Sequence, residues 1–317
     1  MKLKYYKNYR RTIFRRLIQL QWIIAVLVYS SKVSGQQTIP LYAGAIPNST
    51  GYTMEEISMA SKNTVFGYRS ISQPSLTIFL PTPGTENGTA VIVVPGGGYY
   101  METVSEGNPI AETFARHGVT AFVLKYRLPS DSIMIDKTIG PLQDAQQAIK
   151  IVRQRAKEWK LDTNKIGIMG FSAGGHLAST AATHFKKSYI PNIEAVNLRP
   201  DFAILIYPVV SFTEQIMHKG SRDLLLGKNP TPDQIELFSN ELQVTAETPP
   251  TWLTHAGDDK VVPVENSIRF YEALLKNKVP AEMHLYPKGN HGFVLSQPIE
   301  EWMQPLFRWM QKNGWVR

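Results

Sequence analysis

The chain has 317 residues, 43% of them hydrophobic and 19% charged, a balance that excludes a disordered, collagen-like or coiled-coil chain and suffices for a buried core. It has no cysteine, which excludes disulfides, thiolate metal sites and a cysteine nucleophile. The formal charge of +8 comes wholly from residues 1–35, and the rest of the chain holds 26 basic against 26 acidic residues, so its body offers no support for binding nucleic acid.

Residues 1–35 read as a secretory signal peptide. Basic residues run from Lys2 to Arg16, an apolar stretch follows at Trp22–Tyr29, and small residues then lead to Gly35. Val33 and Gly35 suit the −3 and −1 positions, so cleavage is expected before Gln36. A membrane anchor is the competing reading. The apolar run of eight residues falls short of the roughly 20 that span a bilayer, and Gln19 and Gln21 interrupt any extension. A secreted or periplasmic protein with no stable membrane insertion after cleavage follows.

Residues 36–74 show no clear period. Beyond them, residues 76–80 and 90–94 read as strands, and 109–117 as a helix ended by Gly118. Residues 119–125 are a near-continuous apolar strand of the kind buried on both faces. Residues 141–159 form the clearest helix, with Pro141 at its start and an apolar stripe at Leu142, Ala145, Ala148, Ile149 and Val152. Strands follow at 165–170, 202–208, 251–257 and 281–287, and helices at 173–185, 263–276 and 300–313. This alternation predicts one α/β domain over 36–317, a mostly parallel central sheet with helices on both faces. Residues 211–249 break the rhythm and are expected to form small helices capping the site. Chemistry in such sheets gathers beyond the carboxyl ends of the strands.

Gly170-Phe171-Ser172-Ala173-Gly174 fits G-x-S-x-G, between a strand and a small-residue helix. A serine on this strained turn projects its hydroxyl from the sheet, and the flanking glycines let the backbone turn without clashes. A serine hydroxyl is a poor nucleophile near neutral pH. It needs a histidine base, which needs a carboxylate to fix its tautomer, in the chain order Ser, Asp or Glu, His. His291 fits, in the loop Lys288-Gly289-Asn290-His291-Gly292-Phe293 that follows a strand. His176 and His184 fall on the helix after the nucleophile, His284 falls mid-strand and should point into the fold, and His218 in the capping segment could touch substrate. Asp258 and Asp259 both follow the preceding strand and both qualify as the carboxylate. His255, Asp258 and Asp259 as a metal site is the weaker rival, with no further ligands at suitable spacing. Ahead of them, Pro95-Gly96-Gly97-Gly98-Tyr99-Tyr100 follows a buried strand, and three glycines bring backbone N–H groups close to a ligand. Arg127 is expected to pair with a carboxylate.

Over residues 75–310 the chain resembles the α/β-hydrolase superfamily of serine esterases. More narrowly it resembles the secreted bacterial carbohydrate esterases of the acetyl xylan and feruloyl esterase kind. The segments that carry the resemblance are PGGGYY (95–100), FVLKYRLP (122–129), PLQDAQQAIKIVR (141–153), IGIMGFSAGGHLAST (166–180), HAGDDKVVPVENS (255–267) and GNHGF (289–293). The resemblance implies a single-domain α/β-hydrolase fold with Ser172 as nucleophile, His291 as base and Asp259 as carboxylate, because residues 255–263 resemble H-G-x-x-D-x-x-V-P. It implies oxyanion donors at Gly97 or Gly98 and at Ala173, with Pro95 where the superfamily's H-G-G-G segment has histidine. It implies a small-molecule or oligosaccharide ester as substrate, such as acetylated plant polysaccharide, with no metal or organic cofactor. A prolyl-oligopeptidase-like peptidase shares the triad order but usually carries a large extra domain. A non-catalytic binding protein on this scaffold usually lacks a triad residue.

Overall fold

The computed structural model describes residues 36–316, so the expected leader and its anchor alternative lie outside the described residues. The order is β1 (Gln37–Pro40), β2 (Ile57–Ser61), β3 (Thr64–Arg69), β4 (Ser75–Phe79), β5 (Ala90–Val94), β6 (Glu102–Thr103), α1 (Asn108–Arg116), β7 (Thr120–Lys125), α2 (Gly140–Gln154), β8 (Ile166–Phe171), α3 (Ser172–Thr183) and β9 (Phe202–Ile206). Then come α4 (Lys219–Leu226), α5 (Pro232–Leu237), β10 (Thr251–Ala256), α6 (Glu265–Lys276), β11 (Ala281–Tyr286) and α7 (Ile299–Lys312).

Eight strands form one sheet in the order β1-β4-β7-β5-β8-β9-β10-β11. β4 runs antiparallel to β7, and every pairing from β7 to β11 is parallel. All five residues of β5 are buried. Ile92 and Val94 pack on one face with α2, α3 and α6, while Val91 and Val93 pack on the other with α1 and α7. The period of two thus feeds both layers, and each such side chain contributes about 1.5–3 kcal/mol on burial. From β5 the chain passes outward to β7 and then returns to β8 on β5's other side. That reversal opens a crevice at the carboxyl ends of β5 and β8, where ligands bind in open α/β sheets.

The expected strands and helices recur within one or two residues at most ends, with informative exceptions. α2 stops at Gln154 rather than 159. The chain tightens into successive turns, and Lys160 adopts left-handed φ 54°. The Leu161 N–H then donates to the Ala156 carbonyl at 2.8 Å and the Lys160 N–H to that of Lys157 at 3.3 Å, a Schellman closure. Trp159 extends the apolar character of the helix because it packs edge-on against Phe122, with centroids 4.8 Å apart. Residues 36–74 supply β1 and a hairpin, β2–β3, that joins β6 in a separate three-stranded sheet.

Arg127 and Asp144 form a buried ion pair at 2.8 Å that ties the end of β7 to α2. Burial opposes the charge on Arg127, but the Asp144 carboxylate outweighs it and holds the guanidinium charged. The Tyr42 hydroxyl donates to the same carboxylate at 2.9 Å. Replacing Asp144 by alanine leaves a buried cation without its partner. The expected cost is about 3–5 kcal/mol, read as a lower midpoint of urea unfolding at unchanged slope.

Residues 211–249, expected to cap the site, form α4, α5 and a 3-10 turn at Asn240–Leu242. They are seated on α3 by Asn240, whose Nδ2 donates to the Ser179 hydroxyl at 2.7 Å and to the His176 carbonyl at 3.2 Å.

Candidate active site

β8 ends at Phe171 and α3 begins at Ser172, whose φ of 51° is left-handed. A non-glycine residue held there stores strain. The surroundings impose the turn. A Cβ on Gly170 would lie 2.1 Å from the Gly174 carbonyl oxygen, and one on Gly174 would lie 2.3 Å from that of Val94. Only glycine lets α3 approach both β8 and the end of β5 this closely.

His291 follows β11 in a loop braced by its neighbour. The Asn290 N–H donates to Asp258 Oδ1 at 2.7 Å, and Asn290 Oδ1 accepts from the Lys260 N–H at 3.1 Å. This brings His291 Nε2 to 2.9 Å from Ser172 Oγ and Nδ1 to 2.7 Å from Asp259 Oδ2. Asp259 Oδ1 accepts the Val261 and Val262 N–H groups, both at 2.9 Å. Oδ2 also accepts from His255 Nε2 at 3.2 Å. Burial alone pushes this carboxyl up, but hydrogen bonds from His255, His291 and the Val262 amide outweigh burial and hold it well below the usual carboxylate range. An ionised carboxylate only accepts, so His291 carries its proton on Nδ1 and turns the Nε2 lone pair toward Ser172. The side chain of Asp259 is closed to solvent, whereas that of His291 is 21% exposed, enough for a substrate to reach Nε2. Of the two adjacent aspartates, Asp259 meets the imidazole and Asp258 serves the loop amide.

Sequence reasoning missed the part His255 plays. It is fully buried, accepts from Ser267 Oγ at 2.8 Å through Nδ1, and shares its Nε2–H between Asp259 and the Val262 carbonyl. Its i, i+4 spacing to Asp259 was the available signal. It orients the carboxylate rather than completing a metal site. Among the described residues no three His, Asp or Glu side chains come together as metal ligands.

The glycine loop faces the serine. Gly97 and Gly98 have φ of 126° and 66°, and a Cβ on Gly97 would lie 2.1 Å from the Met101 carbonyl oxygen. Among the described residues, no protein group accepts the N–H of Gly97, Gly98 or Ala173, the last being at the open N-terminus of α3. These three amides are the expected oxyanion donors. Tyr99 is buried, and its hydroxyl meets His176 Nδ1 at 2.9 Å, whereas Tyr100 is exposed beneath the Arg69 guanidinium.

The other histidines take different places. His218 caps α4 by accepting from the Ser221 N–H, and lies over Gly98. His284 meets its expectation only in part: its ring packs on buried Trp252 with centroids 5.2 Å apart but is not enclosed. β11 is an edge strand, so His284 stays a third exposed, paired with Glu282 at 2.9 Å. His176 is fully buried. Its Nε2 donates to the Phe238 carbonyl at 2.9 Å while Nδ1 accepts from Tyr99, so one side chain links α3, the glycine loop and the cap. Burial holds its pKa down to about 4, against 6.5 in an open chain. The unfolded chain therefore takes up a proton that the folded protein refuses as pH falls from about 6.5 to 4. Stability is full above that window and should fall by about 3 kcal/mol across it. Urea unfolding at pH 7 and pH 4.5 checks this, and His176→Gln, which keeps a donor and an acceptor without titrating, should flatten that limb.

A sequence model of the BD-FAE family matches residues 76–274, well over half of the chain. The chain belongs to the BD-FAE family. The match takes in the glycine loop, Ser172 and Asp259, while His291 lies beyond its end. Over 209 residues this BD-FAE chain is 39% identical to endo-1,4-beta-xylanase B of Butyrivibrio fibrisolvens, covering 65% of this chain and 32% of that protein. Over 273 residues it is 34% identical to acetylxylan esterase of Xylanibacter ruminicola, covering 83% of this chain and 54% of that protein. The chain thus spans about half or less of these two relatives. The crystal structure of an acetyl ester-xyloside bifunctional hydrolase from Caldicellulosiruptor lactoaceticus superposes with a TM-score of 0.74 at 37% identity, covering 89% of this chain and 98% of that one. The BD-FAE chain has the α/β-hydrolase fold.

Proposed function

We propose that this protein is an exported serine carboxylesterase that removes acetyl or similar small acyl groups from plant polysaccharide. The observation that carries the proposal is the line from Asp259 through His291 to Ser172, at 2.7 and 2.9 Å, beside three unpaired backbone N–H groups. The acetyl and xylose chemistry named for two relatives supports the substrate class. The charge and apolar order of residues 1–35 supports export, and no helix among the described residues is long and apolar enough to cross a membrane.

In this reading each residue has its part. Ser172 Oγ attacks the ester carbonyl carbon as its proton passes to His291 Nε2. The imidazolium is stabilised by Asp259, which stays ionised. The carbonyl oxygen, now an oxyanion, takes hydrogen bonds from the N–H groups of Ala173 and of Gly97 or Gly98. As the C–O bond to the alcohol breaks, His291 returns the proton to that oxygen and the acyl group stays on Ser172. Water then attacks the acyl carbon, giving its proton to His291, and the acid leaves as Ser172 regains its hydrogen.

The test is release of acetate from acetylated xylo-oligosaccharides by wild type and Ser172→Ala, with 4-nitrophenyl acetate and a proline-containing peptide alongside. Acetate from the oligosaccharide, reduced by several orders of magnitude in the variant, supports the proposal. Cleavage of 4-nitrophenyl acetate alone overturns the carbohydrate substrate. Cleavage of the peptide alone moves the reading to a peptidase, and a folded protein inert toward all three moves it to a binding role.

A further inference from the structure

Glu106 lies in the loop between β6 and α1, is 5% exposed and has no ion-pair partner among the described residues. Its carboxyl group is nonetheless fully engaged. Oε2 accepts the Gly96 N–H at 2.7 Å and the Thr103 hydroxyl at 2.5 Å, and Oε1 accepts the Tyr207 hydroxyl at 2.7 Å. Gly96 opens the glycine loop and sits against the nucleophile. A Cβ on it would lie 2.8 Å from Glu106 Oε2 and 3.0 Å from Ser172 Cβ. Tyr207 directly follows β9 with a left-handed φ of 35°, a strained conformation for a bulky residue, and its ring packs edge-on against His291 with centroids 4.9 Å apart. Burial, and next the charge of Glu106, push the Tyr207 hydroxyl up, so it remains a donor.

We infer that Glu106 is a positioning residue that joins the two halves of the site, holding the oxyanion loop through Gly96 and the wall of the catalytic imidazole through Tyr207. One buried carboxylate fixes both where the oxyanion donors lie relative to Ser172 and which way the His291 ring stands. Neither contact touches substrate, so the effect falls on the chemical step and not on binding. Small displacements of such groups cost rate steeply. The inference rests on the esterase reading of Ser172 and His291.

The test is steady-state hydrolysis of 4-nitrophenyl acetate by wild type, Glu106→Ala, Glu106→Gln and Tyr207→Phe, each checked for fold by circular dichroism. Glu106→Ala should lower kcat by about 100-fold, the loss typical of one misplaced oxyanion donor, with KM within about threefold. Glutamine, which can accept from Gly96 and donate to Tyr207, should recover most of that rate. Tyr207→Phe keeps the ring wall, loses only the tether and should lower kcat by about tenfold. Adding it to Glu106→Ala should cost little more, since both break one connection. If Glu106→Ala does not fold, the glutamine and phenylalanine variants decide: near wild-type kcat for both overturns the inference. A folded Glu106→Ala with unchanged kcat, a loss confined to KM, or a glutamine variant as slow as the alanine one also overturns it. A wild type inert toward the ester overturns the esterase reading and this inference together, whereas an active wild type with an indifferent Glu106 overturns this inference alone.

Discussion

His291→Ala is expected to lower kcat toward 4-nitrophenyl acetate by about a millionfold, a loss as large as that from removing Ser172. Among the described residues, Ser172 Oγ has one base within hydrogen-bond range, His291 Nε2 at 2.9 Å. Without it the serine hydroxyl must lose its proton to solvent, and so must the water that later attacks the acyl group. Of the other histidines near the site, His218 has its Nδ1 held by Ser221 at the start of α4, and His255 cannot substitute either. It is buried behind Asp259, with both ring nitrogens engaged. The fold should survive, because the imidazole is partly exposed and leaves behind a carboxylate that keeps three donors. A stopped assay with concentrated enzyme, with circular dichroism as control, reads the result. A loss smaller than tenfold would place the base elsewhere.

Asp259→Asn should cost about 10⁴ in kcat, and the reason lies in counting donors. Asp259 accepts from Val261, Val262, His255 and His291. An asparagine oxygen can serve the two backbone N–H groups, which leaves its NH2 facing two histidine N–H groups. His291 resolves that conflict by moving its proton to Nε2, and the lone pair that faced Ser172 is gone. Asp258→Asn is the matching comparison. Among the described residues Asp258 accepts only the Asn290 amide, an interaction that an asparagine oxygen can keep, so its loss should be smaller by orders of magnitude. Equal losses at the two positions would contradict the assignment of the carboxylate.

The parts of the site that sequence revealed are those where chemistry constrains local pattern. The turn at Ser172 needs glycine at 170 and 174 because backbone oxygens lie within 2.3 Å of where their Cβ atoms would be, and that requirement is visible as G-x-S-x-G. β5, β8 and β9 are buried throughout, and so stand out as apolar runs. The β2–β3 hairpin escaped for the opposite reasons. Its strands are mostly exposed and lack alternation, and its turn places Lys62 and Asn63 at positive φ without the glycine that marks such turns. The end of α2 was hidden because Trp159 continues the apolar stripe while serving a different contact. The connections made by His255, His176 and Glu106 link residues from separate loops and elements, and only the folded chain brings their partners together.

If Ser172 carries the acyl group during turnover, covalent trapping will find it there. Purified protein would be treated with a fluorophosphonate, which reacts with a serine whose hydroxyl a neighbouring base has activated. The modified peptide would then be located by mass spectrometry while remaining ester hydrolysis is followed. One label per chain on Ser172 is expected, with activity falling in proportion to labelling and no label on His291→Ala over the same time. Labelling of another residue, or full activity in completely labelled protein, would contradict this role of Ser172.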